Sequence, residues 1–273
     1  MVFPYKIGFI GVGNLAQAMI KTLLEKKVVA PNSIFASNRS PGKLQKAVDT
    51  WGIQAQTTNE QVVDASDIVI LAVKPQDVSL AVDPIARAFR DKQLVISLAA
   101  GISLRTLGKK LPECRIVRAI PNIPSVIQKG VIGCVASVKD TALEAVVADI
   151  FSPMGMVIPV SDEDELEALM VSCSSGTGFV YELMMYFQDW IAEHGFEEHL
   201  ARKMVVETFL GAALLASQSP DQSLEDLQNR VASKKGVTAA GLDSMREWEI
   251  ERALRYAFEK AALRNQELAK QSE

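Results

Sequence analysis

The run Ile68-Val69-Ile70-Leu71-Ala72-Val73 is apolar at every position. A strand with one wet face alternates apolar and polar residues, so an unbroken run of this kind belongs to a strand covered on both faces. A parallel sheet with crossover helices above and below it meets that condition. Further strand-like runs at 5–10, 33–36, 93–98, 114–119, 131–136 and 156–160 are separated by helical patterns. The rhythm predicts a doubly wound α/β domain of Rossmann type.

After about residue 161 no convincing strand remains, and helical patterns take over at 166–170, 181–193, 199–218 and 247–269. The chain length of 273 fits two domains. The expected division is an α/β domain over 1–161 and an all-helical C-terminal domain over 162–273. Ser161 is the expected N-cap of the first of these helices, and the acidic run Asp162-Glu163-Asp164-Glu165 suits the positive end of its dipole. Within 199–218, Leu200, Met204, Val205, Phe209, Leu210, Ala213 and Leu214 make a broad apolar band. Periodicity alone leaves two readings of it, an ordinary core helix and a subunit contact.

The segment Gly11-Val12-Gly13-Asn14-Leu15-Ala16 follows the first strand and opens a helix. In that context Gly11 permits a tight turn, Gly13 lets the backbone approach a pyrophosphate, and Ala16 allows close helix–strand packing. The segment therefore predicts dinucleotide binding through residues 11–15. The second strand ends in Ser37-Asn38-Arg39-Ser40, with no carboxylate to hold a ribose 2′-hydroxyl. Asn38 and Ser40 can donate hydrogen bonds and Arg39 can pair bidentately with a 2′-phosphate, which favours NADP(H) over NAD(H). The alternative is that Arg39 is a solvated turn residue. Ligands of such sheets sit beyond the carboxyl ends of the strands, where this chain carries Ala72-Val73-Lys74-Pro75, Ala99-Ala100-Gly101 and Asn122. Lys74 suits a ribose or phosphate, Ala99 and Ala100 leave room for a nicotinamide, and Asn122 offers an amide; each also suits ordinary turn chemistry.

Composition excludes several classes. A net charge of −4 with no basic cluster argues against nucleic acid or an anionic membrane as partner. No apolar run is long enough to span a bilayer, and residues 1–6 lack the pattern of a secretory signal, so a cytoplasmic location is expected. Cys114, Cys134 and Cys173 are widely spaced and odd in number, and His194 and His199 do not share a helical face. Neither a disulfide framework nor a metal site is expected.

Six segments together resemble the pyrroline-5-carboxylate reductase family: residues 8–16, 72–75, 97–101, 118–122, 175–178 and 231–242. They occur in the family's order and at about its spacing. The resemblance implies NADPH-dependent reduction of the imine of 1-pyrroline-5-carboxylate to L-proline, the last step of proline biosynthesis, by a homodimer or larger homo-oligomer. In the family a Ser-Pro-Gly-Gly-Thr-Thr-like loop runs into a helix that holds the substrate. The resemblance thus assigns the carboxylate to Ser233 and the backbone around Gly236 and Val237, and the imine nitrogen to the Thr238 hydroxyl. Lys234 and Lys235 stand where the family has Pro-Gly, and Phe179 where it has Pro. Such a reaction needs no metal or covalent nucleophile, and the catalytic pair expected here is Thr238 and Ser233.

Three rival readings remain at this level. One is an NADP-dependent reductase of another cyclic imine. A second is a β-hydroxyacid-type dehydrogenase, which needs a lysine on the interdomain helix; this chain has no Lys or Arg between Lys139 and Arg202. A third is a catalytically weakened NADP-binding regulatory protein.

Overall fold

The computed structural model describes residues 3–271. Its elements in chain order are β1 Ile7–Ile10, α1 Asn14–Glu25, β2 Ile34–Ser37, α2 Pro41–Trp51, β3 Gln54–Ala55, α3 Asn59–Ala65, β4 Ile68–Leu71, α4 Val78–Val82, β5 Leu94–Ser97, α5 Leu104–Lys110, β6 Arg115–Pro121, β7 Gly130–Ala136, α6 Thr141–Phe151, β8 Gly155–Pro159, α7 Glu163–Leu169, α8 Gly176–Glu193, α9 Glu198–Ser217, α10 Leu224–Val231, α11 Val237–Glu247 and α12 Ile250–Gln271. A π-helical turn, Met170–Ser175, joins α7 to α8.

The strands form one sheet in the order β3-β2-β1-β4-β5-β6-β7-β8. The chain runs outward from β1 through β2 to β3 and then returns to place β4 on the other side of β1. That reversal opens a crevice at the carboxyl ends of β1 and β4. As the unbroken apolar runs predict, β1, β4 and β5 are buried at every position. Successive side chains leave a strand on opposite faces. Ile7, Phe9, Ile68, Ile70 and Ile96 join the core with α1, α2 and α6. Ile10, Val69, Leu71 and Val95 join the core with α3, α4 and α5. Full burial of each such large side chain contributes about 1.5–3 kcal/mol.

Two features of the sheet differ from the sequence expectation. β3 has two residues, both exposed, and so carries no apolar signal. β7 runs antiparallel to β6. Only residues 122–129 link the two, including a 3₁₀ turn at Ile123–Ile127, whereas a parallel crossover needs a dozen or more residues.

Two compact units are present: residues through Ser174 together with the chain from Ala262 onward, and Ser175–Ala261. The boundary between these compact units falls after Ser174, beyond the expected division at 161/162, because α7 packs on the sheet. Leu166 and Leu169 press on Gly133 of β7, where a Cβ would stand 2.8 Å from Leu166 Cδ1. Arg118 of β6, 2% exposed, places Nη1 2.5 Å from Glu163 and Nη2 2.8 Å from Glu167. Glu163 also accepts from Leu104 N at 2.9 Å, at the start of α5. Asn265 of α12 donates to Glu167. The N-cap of α7 is Asp162, whose carboxylate accepts from Glu165 N at 2.9 Å, and not Ser161; a charged acceptor is the stronger partner for a helix start.

In the helical unit, Phe187 of α8 meets Phe209 of α9 edge-on at 5.2 Å, and Phe179 meets Phe258 of α12 in the same way. The helix expected over 247–269 is present as α12 and begins three residues later, because Glu249 takes φ +48° and separates it from α11. Among the described residues of this unit only Gly176, Ala201 and Val205 are buried. Tyr181, Met185, Phe187, Trp190, Leu210 and Leu214 are each 48–61% exposed. Among the described residues no helix is long and apolar enough to cross a membrane.

Candidate functional site

The crevice at the switch point is a cleft of about 520 Å³, lined in part by Gly11, Val12, Gly13, Asn38, Arg39 and Ser40. Ala72, Val73 and Lys74, from beyond β4, form its other wall. The sequence therefore named nine residues that the fold brings to one place. Gly11 has φ +98°, and a Cβ on it would stand 2.9 Å from Ala72 O, so both conformation and space demand glycine. Gly13 differs: a Cβ there meets no protein atom within 4 Å. The chain's own packing does not require glycine at 13, whereas a ligand approaching the backbone closely would. Gly13 is also the N-cap of α1 and supplies no side-chain cap. The first-turn N–H groups of α1 are left for another acceptor, the arrangement that binds a pyrophosphate. The residues present thus fit a dinucleotide.

Asn14 and Leu15 open α1 without lining this cleft, and Leu15 packs on the core. Asn38 builds the loop itself: Oδ1 accepts from Val12 N at 2.9 Å and Nδ2 donates to Ser40 O at 2.9 Å. Ser40 is the N-cap of α2, makes no capping bond, and lines the cleft beside that helix start. Arg39 is 82% exposed, with Nη1 3.5 Å from Asp77 Oδ1.

The remaining expected cofactor residues lie elsewhere. Pro75, Ala100 and Gly101 line a second cleft of about 540 Å³ with Gln76, Lys110 and Asn265. Ala99 is buried in the core. Asn122 is buried, with Oδ1 accepting from Val131 N at 2.9 Å and Nδ2 donating to Cys173 O at 3.2 Å. It ties β7 and the π-helical turn to the end of β6.

Sequence reasoning missed Lys43, Thr57, Thr58, Asn59 and Asp77, which also line the first cleft. Lys43 sits three residues past Ser40 in the first turn of α2, and helical phase from a proposed cap would have found it. Asn59 is held by Ser37 Oγ at 2.7 Å and donates to Ala81 O at 3.1 Å, contacts that no local pattern announces.

In the helical unit, Ser233, Gly236, Val237 and Thr238 form the entry to α11. Gly236 is the N-cap, again with no side-chain cap, and Gly236 N donates to Ser233 O at 2.9 Å. Val237 is 94% exposed. Lys235 takes φ +60°, the left-handed region that favours glycine.

An uncapped helix start at the switch point of a doubly wound sheet, beside a cationic strand end, defines a dinucleotide-binding α/β protein. Residues 6–101 match a family model described as NADP oxidoreductase, coenzyme F420-dependent, and residues 163–268 match the pyrroline-5-carboxylate reductase dimerisation model. The chain is 33% identical, over 97% of its length and 98% of the relative's, to the pyrroline-5-carboxylate reductase of Methanosarcina acetivorans. It belongs to the pyrroline-5-carboxylate reductase family. A solved pyrroline-5-carboxylate reductase from Coxiella burnetii superposes with TM-score 0.91 at 31% identity, covering 97% of this chain and 98% of that one. The fold is also that of a Plasmodium falciparum pyrroline carboxylate reductase solved with NADP bound, with TM-score 0.85, 22% identity and coverage of 98% and 100%.

Proposed function

We propose that this protein reduces the imine of 1-pyrroline-5-carboxylate to L-proline, the last step of proline biosynthesis, using NADP(H) in preference to NAD(H). The carrying observation is the entry to α11. Its uncapped first turn, with Ser233 folded over Gly236, offers N–H donors to a carboxylate without a dedicated cation. In this reading Ser233 and the backbone of Gly236 and Val237 hold the carboxylate, and the Thr238 hydroxyl orients the imine nitrogen. A threonine hydroxyl is too weak an acid to protonate the imine, so the substrate binds already protonated. When bound, the reduced nicotinamide supplies the hydride that the imine carbon accepts. Residues 11–15 hold the pyrophosphate, and Arg39, Ser40 and Lys43 meet the 2′-phosphate beside the start of α2. The protein's contribution is orientation more than acid–base chemistry.

A homodimer or larger assembly through the C-terminal helices belongs to the same proposal. It is supported by a helical unit that buries only Gly176, Ala201 and Val205 among its described residues. Apolar surface exposed on that scale marks an association surface. A monomer by light scattering at micromolar concentration would refute it. The cytoplasm is the proposed compartment, in keeping with an acidic chain carrying three widely spaced cysteines.

The test of function is NADPH oxidation with pyrroline-5-carboxylate, alongside piperideine-6-carboxylate and a blank without imine. Saturable turnover favouring the five-membered ring is the expected result. NADPH binding without turnover of that ring would remove the substrate assignment and leave the cofactor site standing. Arg39→Ala is expected to weaken NADPH far more than NADH; equal effects would sink the cofactor preference.

A further inference from the structure

The first cleft presents three cations, Arg39, Lys43 and Lys74, and one carboxylate, Asp77. An anion on the wall of a site shaped for a polyphosphate needs a local reason. Asp77 ends the 3₁₀ turn Pro75–Asp77 and runs into α4 with helical φ −95° and ψ −5°, so its carboxylate is not engaged in capping that helix. Its Oδ1 lies instead 3.5 Å from Arg39 Nη1, and its side chain is 29% exposed against 82% for Arg39. Asp77 is the less exposed member of this pair and Arg39 the solvated one.

We propose that Asp77 is a specificity-determining residue that narrows the margin between NADP(H) and NAD(H), by holding Arg39 and by repelling the 2′-phosphate. The inference rests on reading this cleft as the NADP(H) site. A guanidinium in contact with a carboxylate must release or share it before it pairs bidentately with a phosphate. Once released, the carboxylate faces a group carrying about −1.5 to −2 charge. A ribose with a neutral 2′-hydroxyl meets neither penalty. Removing the charge at position 77 therefore strengthens binding of the 2′-phosphorylated ligand alone. Across 4–8 Å of water each charge pair corresponds to about a two- to sixfold change in affinity, and screening by salt at these exposed groups brings the two contributions together to about three- to tenfold.

Asp77→Asn keeps the side chain's shape and removes its charge. The full-length protein and this variant are titrated calorimetrically with 2′,5′-ADP and, separately, with 5′-AMP. The expected result is a Kd for 2′,5′-ADP lower by about three- to tenfold and a Kd for 5′-AMP within about twofold of wild type. An unchanged or weaker 2′,5′-ADP complex, or an equal gain for both ligands, overturns the proposal. In an Arg39→Ala background the gain is expected to shrink and persist, since repulsion remains after the competition for Arg39 is gone. A gain of full size there overturns the part assigned to Arg39. Wild type alone tests the underlying reading: equal affinity for the two ligands refutes the NADP(H) preference, whereas the role of Asp77 stands or falls with the variant.

Discussion

Arg118→Met removes a buried guanidinium and keeps most of its volume, and the structure fixes what is left behind. Arg118 is 2% exposed and spans Glu163 and Glu167, whose side chains are 31% and 26% exposed. Its Nε has no hydrogen-bond partner, so the two carboxylates and packing carry the whole compensation for its burial. Breaking a buried pair by deleting one partner costs about 3–5 kcal/mol. Here both carboxylates can draw in water, and each keeps another donor, Leu104 N or Asn265 Nδ2. The low end, about 3 kcal/mol, is therefore expected. With a urea m-value of about 2–3 kcal/mol/M, the midpoint moves down by about 1–1.5 M. Fluorescence of Trp51, in α2, reports unfolding of the α/β unit, provided Trp190 and Trp248 are first replaced by Phe. The companion variant Arg118→Met/Glu163→Gln/Glu167→Gln is expected to recover at least half of the loss, because no uncompensated charge remains. If Arg118→Met lowers stability by less than about 1 kcal/mol, or if the triple variant is no better than the single, the desolvated-charge account is wrong.

Gly13→Ala should leave thermal stability unchanged, since a Cβ at 13 meets no neighbouring atom within 4 Å, while NADPH affinity drops by about tenfold; a stable variant with unaltered affinity would contradict the pyrophosphate assignment. Lys235 sits at φ +60°, so Lys235→Gly should be neutral or stabilising by up to about 1 kcal/mol, and Lys235→Val should cost about 1 kcal/mol or more by chemical denaturation. The reverse order would show that the left-handed turn is absent in solution. Burial raises the Cys134 thiol to about 12, and burial with the nearby Glu113 and Asp91 raises Cys114 to about 11. At pH 8 iodoacetamide should leave both unmodified in the native protein and label both in urea; rapid native labelling would refute this burial. Because these values lie above the ordinary 9.0, their contribution to stability is complete below pH 9 and is lost as pH rises through about 11 to 12. Urea midpoints that stay level across that window would contradict the shifts.

The parts of the fold that were legible in the sequence are those where local pattern and tertiary burial agree. Ile68–Leu71 is apolar throughout because both of its faces are covered. The glycine segment was legible for a different reason: Gly11 is required by φ +98° and by contact with Ala72, while Gly13 opens onto the cleft with no neighbour in reach of a Cβ. What escaped was set by contacts distant in sequence. Asp77 carries no signal in the local sequence, and only the fold brings its carboxylate to Arg39. Asn122 reads as a ligand amide, and only the fold gives it Val131 and Cys173. β7 was legible as a strand, yet its direction depended on a linker whose length mattered more than its composition.

The helical unit was the least legible, for a physical reason. Periodicity records that a face is covered, and it is silent about what covers it. Within α9, Ala201 and Val205 are buried inside the chain, whereas Leu210 and Leu214 of the same apolar band are each 48% exposed. A core of one chain and a surface awaiting a second copy write the same spacing into a helix. The break at Glu249 was equally silent, since Glu247-Trp248-Glu249-Ile250 contains neither glycine nor proline. A non-glycine residue at φ +48° costs about 1 kcal/mol. The sequence therefore accepts strain at Glu249 as it does at Lys235, at the two ends of α11. Both turns set where α11 begins and ends, and α11 carries the N–H donors proposed to hold the substrate. Relaxing either turn is expected to disturb that helix start before it disturbs the α/β core.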